Sequence, residues 1–192
     1  MGRRKGFGKT KAKKLPPFEL IDHNMKPLPE PYRLLAEIRK AHHPDIKEAK
    51  IVLAWQKGIK ADKDGHVMLG KCIKIGDLQK ELADWDFVIT LNFEVWQSSE
   101  WTKEKKLALL DHELMHADES LDKDGEPKVD LKGRRQWRIR KHDVEEFSAI
   151  IERHGIWKRD LERFAEAIMK TKQKTLEFPA PVAAASGEAT IQ

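Results

Sequence analysis

The chain has 192 residues, 40% of them apolar and 36% charged, which suits one globular domain, or a domain with tails, able to bury a sizeable core. No apolar run approaches the roughly eighteen residues of a membrane span, the charged N-terminus has no hydrophobic segment behind it, and the single Cys72 excludes an internal disulfide, so a cytoplasmic protein is expected. The net charge of +5 is uneven: Arg3, Arg4, Lys5, Lys9, Lys11, Lys13 and Lys14 stand without an acid, and the remainder holds 30 basic against 32 acidic residues. A body near neutrality argues against a dedicated nucleic-acid-binding fold. The tail alone, through Arg3, Arg4 and Lys5, could touch a phosphate backbone in a salt-dependent way.

Residues 1–17, closed by Pro16 and Pro17, read as a basic flexible tail, 18–175 as the folded domain, and the Ala- and Pro-rich 176–192 as a disordered tail. Pro27, Pro29 and Pro31 punctuate an extended connection before an amphipathic helix over 32–40, which turns Leu34, Leu35 and Ile38 inward. His42-His43-Pro44 ends it, and adjacent histidines there read as a helix terminus rather than a metal site. A β-type run at 50–55 is followed by the turn signal Asp64-Gly65 and a second strand over 67–75, in which Cys72 reads as a buried, inert thiol. A short helix over 77–82 and a third strand over 87–93 complete this part.

A helix is expected over 103–120, with Thr102 as N-cap and Leu107, Leu110, Leu114, Ala117 and Leu121 along its inner face. It carries His112-Glu113-Leu114-Met115-His116, an HExxH motif. Residues four apart on a helix project from nearly one face about 6 Å apart along the axis, so the two histidines can pinch a single metal ion. Glu113, turned roughly 100° away, can poise a water for attack. The polar segment 118–133 follows, where Asp122-Lys123-Asp124-Gly125 lacks the later ligands of a calcium loop and reads as a solvated turn. The basic run 134–141 either steers an acidic partner or forms a solvated face. A helix beginning at His142 and reaching 151 presents His142, Glu145 and Glu146 on a polar face, and a last amphipathic helix is expected over 159–172.

A catalytic zinc ion takes three protein ligands and keeps one position open, so the motif lacks one donor. His142 is the favoured third ligand, with Glu145 and Glu146 as alternatives or as acceptors that orient an imidazole. The segments 82–89, 108–117 and 142–147 resemble the phage metallopeptidases, small proteins of bacteriophages and prophages, and the resemblance covers roughly residues 20–170. It implies a zinc peptidase acting on a protein or peptide in the bacterial host cytoplasm. His154-Gly155 is similar to the HG element of Spartan-like proteases, which makes His154 a further alternative ligand. The spacing is also similar to ImmA/IrrE-type peptidases, whose third ligand is a Glu.

The expected architecture is an α+β minimal zincin-like domain: a small three-stranded sheet, the HExxH helix and closing C-terminal helices. The last strand leads into that helix, and the sheet edge is available to an extended substrate. Glu113 is expected to act as general base, with His154 or an arginine of the basic run as oxyanion stabiliser. Two rivals are a zinc-stabilised module that binds protein or nucleic acid through its tail, and a metal-dependent hydrolase of a non-peptide amide.

Overall fold

A computed structural model describes residues 17–145 and 148–171. The basic tail with Arg3, Arg4 and Lys5, the segment 172–192, and Glu146 and Phe147 lie outside the described residues. In chain order the elements are β1 (Phe18–Leu20), α1 (Glu30–His42), β2 (Ile51–Gln56), β3 (Gly70–Lys74), α2 (Asp77–Ala83), β4 (Phe87–Asn92), α3 (Phe93–Gln97), α4 (Lys103–His116), β5 (Ala117–Glu119), β6 (Trp137–Ile139), α5 (Ser148–His154) and α6 (Arg159–Lys170). None of the described helices is long and apolar enough to cross a membrane.

The domain is α+β, built on a mixed sheet of order β1-β2-β4-β3, in which β2 and β4 run parallel and the outer strands antiparallel to them. The two inner strands are the near-continuous apolar runs of the sequence, as strands covered on both faces should be. Leu53, Phe87, Ile89 and Leu91 are fully buried. Helices α1 and α4 pack against each other, Tyr32, Leu34 and Leu35 from one and Leu110 and Leu114 from the other entering the same core. Inside it the Leu53 N–H donates to the Tyr32 hydroxyl at 3.0 Å. Burial pushes that phenol's pKa up.

The sheet has four strands rather than three. Phe18-Glu19-Leu20 of β1 is too short for its alternation to announce a strand, and Phe18 and Leu20 are exposed; it is held by antiparallel pairing with β2 and flanking bonds such as Ile21 N–H to Leu53 O at 2.9 Å. The strand leading toward the motif helix is interior, and the short α3, capped by the Asn92 side chain, stands between them. The sheet edge beside α4 belongs to β3.

Thr102 caps α4, its hydroxyl accepting the Lys105 N–H at 3.4 Å. The helix ends at His116, four residues before the expected end, because Ala117 turns extended and pairs with Ile139. Tertiary pairing overrides the leucine periodicity, and Leu121 is exposed. The basic run is consumed by the hairpin: Trp137 is buried edge-on against Phe87, Arg134 pairs with Asp130 and Glu81, Arg135 with Glu48 and Glu119, and Arg138 with Asp118. Asp122 accepts the N–H groups of Asp124 and Glu126, so that segment is a turn, as expected. Asp62 and Asp130 close loops of the same design. Of the helix expected from His142, residues 142–145 are not helical and 148–151 belong to α5; His142 sits in the connection between β6 and α5.

Candidate metal centre

The last turn of α4 points His112 and His116 outward while Leu110, Glu113 and Leu114 face inward. Ring centroids of the two histidines are 5.0 Å apart. His142 arrives from the hairpin: its Nε2 lies 3.1 Å from His112 Nε2, and its ring centroid 4.6 Å from that of His116. One nitrogen from each of the three falls within 4.8 Å of the others.

The hairpin sets this geometry. The β5–β6 ladder continues past its last residues, with the Arg140 N–H donating to the His116 carbonyl at 2.9 Å. The Arg140 carbonyl lies 2.7 Å from His116 Nδ1 and accepts its proton, which leaves Nε2 as the ring's free lone pair. One backbone unit thus fixes the tautomer of His116 and brings the chain to His142 two residues later. Sequence reasoning had no access to this contact, because a main-chain group makes it. Burial lowers the pKa of His112, and the neighbouring His116 and His142 lower it further, favouring the neutral ring that a metal requires.

Glu113 is 4% exposed, under the open edge of the sheet. Burial raises its pKa, opposed by the charge of His116 and by a hydrogen bond from the Cys72 backbone N–H. Strand alternation explains that bond. Asn92 N–H donates to Leu69 O and Ile75 N–H to Asp86 O, so residues 69, 71, 73 and 75 exchange with β4 and 70, 72 and 74 turn outward. Gly70 makes room for the carboxylate: a Cβ there would lie 2.9 Å from Glu113 Oε1. Behind the motif the buried His43 Nε2 pairs with Asp111 Oδ1 at 2.6 Å, while the His43 N–H closes α1 on Arg39 O. The residue expected as a helix terminus therefore also anchors α4.

Among the described residues the three-histidine group includes neither Glu145 nor His154, and Glu146 lies outside them. His154 ends α5, exposed. The proposed oxyanion arginines are taken up in the ion pairs above, Arg140 pairing with Asp143. Asp62, Asp64 and His66 also cluster, but Asp62 Oδ1 is occupied by the turn's own N–H groups.

Two pockets flank the histidines. One of about 460 Å³ opens between the start of β3 and α4, with His112 and Glu113 in its wall; the other, about 570 Å³, lies between α4 and the two C-terminal helices and is lined by all three histidines without Glu113. An α+β scaffold that groups three imidazoles beside a buried glutamate has the makings of a metallohydrolase. The model of the family described as "Putative phage metallopeptidase" matches residues 23–169, and the chain belongs to that family. No curated protein and no solved structure gives a match.

Proposed function

We propose that the protein is a zinc-dependent peptidase of minimal zincin-like architecture, with His112, His116 and His142 as metal ligands and Glu113 as general base. The observation that carries the reading is the convergence of three imidazole nitrogens beside a buried carboxylate, in a chain of a metallopeptidase family. The donor set suits zinc: nitrogens about 2.0–2.1 Å from a tetrahedral ion lie about 3.3 Å from one another, and the His112–His142 pair stands at 3.1 Å. A zinc ion held there would supply Lewis-acid activation of water and of a scissile carbonyl.

The chain's own residues supply the rest. Glu113, its basicity lifted by burial, accepts the proton of the attacking water and returns it to the leaving amine. The outward backbone groups of Gly70 and Lys74 on β3 offer a protein or peptide substrate an edge to pair with in extended form. The Arg140 carbonyl keeps His116 in the tautomer that ligates through Nε2.

Metal analysis and peptide hydrolysis test this. Wild type is expected to retain about one zinc per chain, His116→Ala and His142→Ala to bind it at least about tenfold more weakly, and Glu113→Gln to keep the metal and lose hydrolysis. Unchanged zinc content in both histidine variants would remove the site. A fully active Glu113→Gln would remove the mechanism, zinc retention without any turnover by wild type would leave a zinc-stabilised binding module, and turnover without new peptide termini would point to a non-peptide amide.

A further inference from the structure

The pocket beside Glu113 has a chemistry of its own. Apart from His112 and Glu113, it is lined mainly by Met68, Leu69, Trp101, Ala108 and Leu109, with Glu100 and Lys105 as its other charged residues. Met68 and Leu69 are about 40% and 39% exposed, apolar surface turned toward the catalytic edge rather than into the core. They are nevertheless held firmly. The buried Asn92 donates its side-chain N–H to Met68 O at 3.0 Å and its backbone N–H to Leu69 O at 2.8 Å, so this wall is tied to the inner strand β4. The opposite wall is the exposed flank of α4, one turn before His112.

Resting on the peptidase reading above, we propose that this pocket receives a large apolar side chain, such as Leu, Met or Phe, from the residue whose amine is released on cleavage. The side of the scissile bond follows from the proton's route. The base that takes a proton from water and returns it to the leaving nitrogen must stand within hydrogen-bond reach of that nitrogen. The side chain on the same residue begins two bonds away, beside Glu113. Of the two flanking pockets only this one has Glu113 in its wall; the other faces the three histidines and falls on the carbonyl side. A volume of about 460 Å³ admits an aromatic or long aliphatic side chain, whereas a carboxylate would lose its hydration among apolar walls.

The test uses the full zinc-loaded chain and an amine-blocked peptide library prepared from a bacterial proteome, with new N-termini read by mass spectrometry. Large apolar residues are expected at the new N-terminus, favoured about ten- to a hundredfold over Gly or Asp. Ala108→Trp, on the exposed wall, and Met68→Trp, from the opposite wall, are each expected to move the preference to Gly, Ala and Ser with zinc content unchanged. New termini without apolar preference, or a preference that neither variant alters, would overturn the pocket assignment and leave the peptidase reading intact. No termini above the Glu113→Gln control would overturn both.

Discussion

Gly70 shows how much of the site rests on a missing side chain. An added Cβ would meet Glu113 Oε1 at 2.9 Å and the Thr90 carbonyl at 3.2 Å. The carboxylate is the more movable of the two, so Gly70→Ala should displace the proposed base before it disturbs the sheet. Hydrolysis is expected to fall by about tenfold or more, with zinc content kept and a stability loss of about 1–3 kcal/mol, measured by turnover and urea unfolding. The next outward-facing residue, Cys72, has its thiol pushed up to about 12, first by burial and then by the Glu113 charge. A pKa raised by folding gives stability that is present below the ordinary thiol value and is lost as pH rises from about 9 toward 12. The native thiol should therefore resist disulfide reagents at pH 8 and react once denaturant is added. The urea midpoint should decline above pH 9, and less steeply in Cys72→Ala. The motif residues were legible because HExxH is a local pattern; Gly70 was not, because its role depends on a side chain 43 positions away.

At the scale of elements, the hairpin β5–β6 is what the sequence hid. Each strand is three residues long, charged at several positions, and shorter than any hydrophobic period can reveal. Trp137 is its anchor, 3% exposed with its ring 6.1 Å from that of Phe87. Trp137→Ala is expected to cost about 3–5 kcal/mol and, although Trp137 is not one of the three candidate ligands, to weaken zinc binding as Arg140 loses its register with His116. Thermal unfolding and a zinc titration check the two effects, and a variant destabilised with full zinc affinity would sever the hairpin from the site. The same hairpin explains why His142 was legible as a candidate ligand while its setting was not. The polar cluster after the basic run marked the residue, but helical spacing over 142–151 suggested a helix there, whereas 142–145 are not helical and α5 spans Ser148–His154.

Over the whole molecule, the interior was readable, and so, at the margins, were the edge strand β3 and the exposed helix α2. The inner strands and the helices α1 and α4 announce themselves through apolar runs or periodic faces, because burial imposes the pattern, whereas α6 shows a periodic face of which only Leu161 is buried. The outer strand β1, the helix α3 and the end of α4 are decided by pairing partners distant in sequence, which no local window contains. The backbone pairing of Arg140 with His116 carries a thermodynamic consequence. His116 and His142 are separated by 26 positions, and bringing the ends of a flexible segment that long together costs about 3 kcal/mol of chain entropy. That cost falls on folding, where strand pairing and the burial of Trp137 offset it, so a cation arriving at the three histidines would have little of the chain left to order and would keep almost all of its intrinsic affinity.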